Sequence, residues 1–233
     1  MAANNFLVPL IMIMIEFLKY IVYRTPVIKR IMWPKYRYGI HPGQLAAMVQ
    51  LMENTKGEPG CIIEIGVAVG KTSVFLLEHL KTTEDSRPVL FFDTFCGFTP
   101  KSVALEINDR SKSKFKNSFQ CFQYGNEQLF SCSIAGAGYT NFKTYKGDAA
   151  KFDFSTIGPI SAVLLDIDLY QPTLTCLRAI WPYLVEGGGI VIDDCIPGGP
   201  WDGSLQAVEE FAIEIGAHAS RVGGKGMMLF KST

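Results

Sequence analysis

Acidic residues recur where short apolar runs of the chain end. Seven share this placement, and they are Glu64, Asp93, Asp148, Asp166, Asp168, Asp193 and Asp194. Because the carboxyl ends of parallel strands meet at one rim of a sheet, these side chains are expected to form one site. Carboxylates gathered so closely repel one another unless a cation lies among them, and Mg²⁺ suits a set of oxygen ligands best. The alternative is that some aspartates, Asp168 above all, only cap loops and face water.

The stretch from Glu64 to Thr72, EIGVAVGKT, joins a strand-like run to a helix-like run. Gly66 and Gly70 allow a tight turn, and the N–H groups that open the following helix favour an anionic ligand. The spacing does not match the dinucleotide fingerprint G-x-G-x-x-G, and it is one residue short of a P-loop. A nucleotide-like cofactor is expected here. An acid at the position of Asp93 accepts hydrogen bonds from ribose hydroxyls in such folds, or else caps the next turn.

The elements that would position these residues follow the pattern of an α/β fold. Short apolar runs predict buried strands at 61–63, 89–92, 142–145, 161–165 and 189–192, and amphipathic helices lie between them, including one over 42–53. The final runs, 218–222 and 227–231, flank a glycine-rich turn and predict an antiparallel hairpin that closes the sheet. The predicted fold is a Rossmann-like, mostly parallel sheet with helices on both faces.

Two segments depart from that pattern. A polar and then glycine-rich insertion spans about 98–140, and it is either a lid over the substrate or a disordered surface loop. Residues 1–40 form an apolar and basic appendage to a domain at 41–233. Its apolar run, 6–23, is short for a spanning helix and contains Glu16 and Lys19. It is interpreted as a helix that packs on the domain or on a homodimer partner, or as an interfacial helix held to anionic lipid by the basic residues that follow.

The composition narrows the class of partner. The chain has 22 basic and 22 acidic residues, which argues against a nucleic-acid-binding surface. Its six cysteines form no C-x-x-C pair. A reducing, cytoplasmic setting is expected, with membrane association left open.

Several phrases together resemble a known family. They are DIDLYQPT at 166–173, GGG followed by DD at 187–194, AVEEF at 207–211 and DTFCGF at 93–98. They are similar to the macrocin O-methyltransferases (TylF/MycF type) of the class I S-adenosylmethionine (SAM) methyltransferases, which are related in fold to catechol O-methyltransferase. The resemblance implies a Mg²⁺- and SAM-dependent O-methyltransferase that acts on a small molecule with adjacent hydroxyls, either a sugar or a phenolic natural product.

The resemblance also implies roles for residues. The cofactor-binding set would be Glu64, Gly66, Gly70, Thr72, Asp93 and Asp148, and the metal set would be Asp166, Asp193 and Asp194. Catechol-type enzymes place a lysine base three residues after the first metal aspartate, where this chain has Leu169. Asp166 is therefore predicted to be the catalytic base, with Asp168 and His41 as alternatives.

Two other functions stay open at this stage. The sequence Asp166-Ile167-Asp168 is also the D-x-D by which many glycosyltransferases hold a metal and a nucleotide sugar. A third interpretation is a SAM-fold protein without turnover that binds a partner or a membrane through its N-terminal helix.

Overall fold

The computed structural model describes residues 4–26 and 35–232, with side chains from residue 11 onward. Internal contacts divide the chain into two units, 1–37 and 38–233. The first unit contains helix α1, Asn4–Arg24. In the described part of the chain, no helix combines the length and apolarity that a transmembrane span requires.

The second unit is built on one seven-stranded sheet with strand order β3-β2-β1-β4-β5-β7-β6. Its strands are β1 (Cys61–Ile65), β2 (Val89–Asp93), β3 (Phe142–Lys146), β4 (Ile160–Leu165), β5 (Leu184–Ile192), β6 (Ser220–Val222) and β7 (Gly226–Phe230). The first five strands are parallel, and β7 pairs antiparallel with both β5 and β6. The predicted fold class is confirmed, including the terminal hairpin.

Helices cover both faces of the sheet. They are α2 (Pro42–Asn54), α3 (Lys71–Thr82), α4 (Pro100–Asn108), α5 (Glu127–Gly136), α6 (Tyr170–Ile180) and α7 (Gly203–Glu214). All residues of β1 and β4 are buried, and alternate side chains enter two separate cores. Ile63 packs in the core beneath α6 and α7, and Ile62 packs in the core beneath α2 and α3. Burial on both faces explains why these strands are continuous apolar runs.

The insertion at about 98–140 contains regular structure, including helices α4 and α5. Thr99 precedes helix α4, and its hydroxyl accepts from the backbone N–H of Ser102. Asn126 precedes α5, and its side chain accepts from the backbone N–H of Leu129. These caps satisfy donors that a helix start leaves unpaired. Beyond α4, Arg110 and Lys112 both pair with Asp202, in the loop between β5 and α7, at 3.0 and 2.5 Å. These contacts fix the insertion against the rim of the sheet.

Candidate active site

A cleft lies at the carboxyl ends of β1 to β4, where the sheet reverses its strand order. It encloses about 880 Å³, part of it open to solvent. Gly66, Asp93, Asp148 and Asp166 line its floor, and Phe98 and other residues of the insertion line its outer wall. A ligand crevice is expected at this position in an open α/β sheet.

The glycine turn brings the backbone close to the neighbouring strand end. Gly66 has φ +89°, and a Cβ there would lie 1.8 Å from the carbonyl oxygen of Asp166. Gly70 has φ +78° at the start of α3, and a Cβ there would lie 2.9 Å from the ring of Phe130. Only glycine fits both conformation and space at position 66. The turn therefore joins the ends of β1 and β4 into one floor of the cleft.

Glu64 lies beneath this floor. Its side chain is buried, and one carboxylate oxygen accepts a 2.6 Å hydrogen bond from the hydroxyl of Ser73 in α3. Burial, reinforced by the nearby Asp166 and Asp93, raises the pKa of Glu64 to about 8. Thr72, in the first turn of the same helix, is also buried. Glu64, Gly70 and Thr72 support the turn and do not line the cleft.

Asp93 and Asp148 face the cleft from β2 and from the end of β3. The carboxylate of Asp93 accepts from the backbone N–H groups of Val67 at 2.9 Å and Phe95 at 2.6 Å, so it ties the glycine turn to the turn after β2. Asp148 caps the short 3₁₀ helix that follows it by accepting from Ala150. Both carboxylates accept from backbone donors and still line the floor of the cleft.

Three carboxylates meet at the other end of the cleft. One oxygen each from Asp166, Asp168 and Asp194 lies within 4.8 Å of the others. Burial raises the pKa of Asp166 and of Asp168 well above the ordinary value, and the neighbouring carboxylates raise both further. An all-oxygen set of negative donors at this spacing fits a hard divalent cation.

Asp193 turns away from that group. It is buried, and its oxygens accept from Gln44 of α2 at 2.8 Å and from the ammonium of Lys225, in the β6–β7 turn, at 2.6 Å. Lys225 also donates to Asp194 at 2.9 Å. The structure thus brings Asp166 and Asp194 of the predicted metal set together, adds Asp168, and leaves Asp193 outside this group, bonded to Gln44 and Lys225. Four carboxylates and one ammonium leave three formal negative charges here.

Two of the clustered aspartates have a strained backbone. Asp168 has φ +62° and Asp194 has φ +52°. The left-handed conformation costs a non-glycine residue on the order of 1 kcal/mol, and such residues concentrate at functional sites. The strain aims both side chains toward the same point from two adjacent strand ends.

Glu106 supports the site from outside the cleft, and the sequence pattern does not reveal it. It lies in the insertion, is fully buried, and accepts from the backbone N–H of Tyr170 at 2.7 Å. It also pairs with Arg110. No side chain of α6 itself caps its first turn, so Glu106 supplies that acceptor from another element. No local sequence pattern reveals this contact, because Glu106 and Tyr170 are 64 positions apart.

His41, an alternative base in the sequence, has a structural contact. Its ring nitrogen accepts from the backbone N–H of Gly43 at 3.1 Å, and it forms a capping box with Gln44 at the start of α2. A Cβ on Gly223 would lie 2.5 Å from the same nitrogen. The ring is therefore packed between α2 and the terminal hairpin, and it is not among the residues that line the cleft.

The strand order, the terminal hairpin, the glycine turn and the acid at the end of β2 together define a class I methyltransferase fold. The sequence also matches a family described as a methyltransferase domain over residues 63–195, which is more than half of the chain. The chain belongs to this methyltransferase family, whose methyl donor is SAM. Membership leaves the glycosyltransferase interpretation without support.

Solved structures agree on the fold. The chain resembles the O-methyltransferase NovP with a TM-score of 0.70 and 17% identity, over 82% of this chain and 80% of that one. It resembles the calicheamicin methyltransferase CalS11 with a TM-score of 0.59 and 22% identity, over 80% and 77% of the two chains. No curated protein matches the chain at a significant level.

Proposed function

We propose that the chain is a Mg²⁺-dependent O-methyltransferase of the macrocin (TylF/MycF) type, acting on a small molecule with adjacent hydroxyls. The observation that carries the proposal is the carboxylate cluster of Asp166, Asp168 and Asp194 at one end of the cofactor cleft. A methyltransferase that needs no metal has no use for three mutually repelling carboxylates at that place. NovP, with a similar fold, is described as an O-methyltransferase, and CalS11 as a TDP-rhamnose 3'-O-methyltransferase.

SAM is proposed to bind along the floor of the cleft. Gly66 lets the turn approach the carbonyl of Asp166, and Gly66, Asp93 and Asp148 all line the cleft. In the proposal Asp93 would accept from ribose hydroxyls and Asp148 would lie near the adenine. Glu64, Gly70 and Thr72 act from beneath by fixing the turn and the start of α3. SAM supplies an electrophilic methyl group, and the chain orients the acceptor for in-line transfer.

The metal half assigns the cation to Asp166, Asp168 and Asp194. These three carboxylates would hold the cation, which would supply Lewis-acid chemistry that lowers the pKa of an acceptor hydroxyl. Asp166 is proposed as the base that takes the hydroxyl proton, and Asp168 is the second carboxylate facing the same cleft. Asp193, with Gln44 and Lys225, would position Asp194 from outside the cluster.

The walls of the cleft indicate the chemistry of the acceptor. Among the described residues, no lysine or arginine lines the cleft, whereas four aspartates do. The outer wall contains Phe98, Phe122 and Tyr124. A nucleotide diphosphate would meet negative charge without a compensating cation from the chain. The proposed acceptor is therefore an uncharged vicinal diol with an apolar or aromatic face, such as a catechol or a neutral glycoside.

The test begins with calorimetric titration of S-adenosylhomocysteine, with Mg²⁺ and then with chelator. Methyl transfer is next measured on a catechol, a neutral glycoside and a nucleotide sugar. One-site binding and chelator-sensitive transfer to a neutral diol would support the proposal. Transfer that chelator does not reduce would remove the metal. Cofactor binding without transfer to any acceptor would favour the interpretation of a SAM-fold protein without turnover.

Matched variants separate the two aspartate sets. Asp168→Asn should weaken Mg²⁺ binding at least about tenfold, because it removes a charged ligand. Asp193→Asn should lower stability, because it breaks a buried bond to Lys225, and should change Mg²⁺ affinity less. Equal loss of Mg²⁺ affinity in both variants would restore Asp193 to the ligand set. Unchanged affinity in the Asp168→Asn chain would exclude Asp168.

A further inference from the structure

We infer that helix α1 is a monotopic anchor that lies in the headgroup region of an anionic lipid surface. The inference concerns the first unit of the chain alone and is independent of the reaction. Ten large apolar side chains in α1 are exposed, among them Ile13 at 66%, Phe17 at 63% and Tyr23 at 60%. Apolar groups exposed in such number along one helix mark an interaction surface.

The distribution of these side chains around the helix favours lipid over a protein partner as the group that covers them. At about 100° per residue, the apolar arc that runs from Tyr20 through Met14 to Ile15 covers roughly 220° of the circumference and contains one charged residue, Arg24, near its edge. A helix that packs on one partner needs an apolar stripe of only about 100°. A second copy of the chain would cover part of this arc, whereas a lipid layer surrounds all of it.

The remaining sector, about 140° wide, holds both mid-helix charges, Glu16 and Lys19, beside Met12 and Tyr23, so the charged groups lie on one side of the helix. Glu16 and Lys19 share that sector and pair at 2.6 Å with both side chains exposed. They would face water and headgroups while the apolar arc enters the acyl boundary, which is the arrangement of interfacial amphipathic helices. Their presence in mid-helix also disfavours a spanning orientation.

Charge at the carboxyl end of α1 selects an anionic surface. Arg24 ends the helix and stacks over Tyr20, with its guanidinium carbon 4.5 Å from the ring centroid. Lys35 and Arg37 follow in the described residues, and Lys29 and Arg30 lie between in the sequence. Tyrosine rings prefer the headgroup level, and each basic residue near an anionic leaflet strengthens attachment.

The experiment is flotation of the full chain with two kinds of vesicle, one of phosphatidylcholine alone and one of phosphatidylcholine and phosphatidylglycerol in equal parts. The chain should float with the anionic vesicles, and the lipid concentration for half-binding should be at least about tenfold higher with phosphatidylcholine alone. Equal binding to both vesicles would overturn the electrostatic part of the inference.

Matched variants locate the contact. Met14→Glu with Ile21→Glu puts two charges at the centre of the apolar arc and should abolish flotation. Met12→Glu puts one charge between Lys19 and Glu16, on the side of the helix away from the apolar arc, and should preserve it. Arg24→Glu should reduce binding to anionic vesicles only. Unchanged thermal unfolding in each variant would show that the catalytic domain is intact.

Size-exclusion chromatography of the same chains tests whether α1 mediates self-association instead of lipid binding. If the full chain stays with the aqueous fraction and forms a dimer that the Met14→Glu, Ile21→Glu chain dissociates, the helix is a surface for self-association and the inference is wrong. Loss of flotation in the Met12→Glu chain would equally contradict the proposed orientation.

Discussion

Replacement of Glu106 by alanine should destabilise the domain strongly, although the residue lies in a polar insertion. Its carboxylate is fully buried, accepts from the N–H of Tyr170 at 2.7 Å, and pairs with the guanidinium of Arg110. Arg110 in turn reaches Asp202 at 3.0 Å. The side chain therefore joins the insertion to the start of α6, directly after the Asp166–Asp168 turn.

The magnitude follows from what each partner loses. The N–H of Tyr170 would lack its acceptor, which costs about 1–3 kcal/mol in a buried setting. Breaking a buried ion pair by removing one partner costs about 3–5 kcal/mol in all. Arg110 keeps Asp202 and Gln206, which argues for the lower end, about 3 kcal/mol. For a domain of this size that corresponds to a fall in Tm of about 6–12 °C.

Urea and thermal unfolding of the purified chain measure this change. The control is Glu214→Ala, which removes an ion pair with Arg178 whose side chains are 40% and 52% exposed. That variant should unfold at the same temperature and urea concentration as the wild type, because water screens exposed ion pairs. Glu106→Gln keeps an acceptor for the N–H of Tyr170, so its loss of stability should be intermediate between those of Glu214→Ala and Glu106→Ala. A loss below about 1 kcal/mol for Glu106→Ala would refute the argument that the insertion is fixed through this carboxylate.

Three further predictions concern the cleft and the buried acid beneath its floor. Gly66→Ala should lower the free energy of unfolding by about 2 kcal/mol or more and abolish S-adenosylhomocysteine binding, because φ is +89° and the new Cβ would overlap the Asp166 carbonyl. The control is Gly136→Ala, which has open space around the new Cβ and should change neither property. Urea unfolding and calorimetry measure the two properties in both variants. Burial raises the pKa of Glu64 to about 8, so the folded chain keeps a proton that the unfolded chain loses above about pH 4.5, and stability should fall as the pH rises to about 8. Glu64→Gln should remove that part of the fall in urea titrations, and an identical pH profile would contradict it. Phe122→Ala should raise the KM for the acceptor and leave S-adenosylhomocysteine affinity unchanged; the reverse would assign this wall to the cofactor.

The sequence predicts the sheet well because its strands are determined locally. Residues 89–92 and 142–145 are predicted strands, and the structure has Val89–Asp93 and Phe142–Lys146. The runs are apolar or rich in β-favouring residues and are bounded by turn residues, so each can be recognised as a strand from the sequence alone. The fifth strand begins earlier than predicted, at Leu184, because the run continues through glycines that give no side-chain signal.

The sequence predicts the site less completely because its geometry depends on distant partners. Asp193 and Asp194 are adjacent and look equivalent, yet Gln44, 149 positions away from Asp193, and Lys225 draw Asp193 out of the cluster. Asp168 enters it because the left-handed turn at φ +62° re-aims its side chain. Neither contact leaves a local pattern, so the sequence indicates which rim holds the site and not which carboxylates share a ligand.

The bond between Gln44 and Asp193 decides where the chain can be shortened. The amide of Gln44 also accepts from the backbone N–H of His41, and Ile40 is buried in the core beneath α2. A chain cut after residue 37 would keep these contacts and would lose the exposed apolar helix α1. A cut after His41 would remove the buried Ile40 and the backbone donor to Gln44, and a cut after Gln44 would leave Asp193 buried with one partner fewer. The boundary for a crystallisable catalytic fragment therefore lies in a window of a few residues before Ile40.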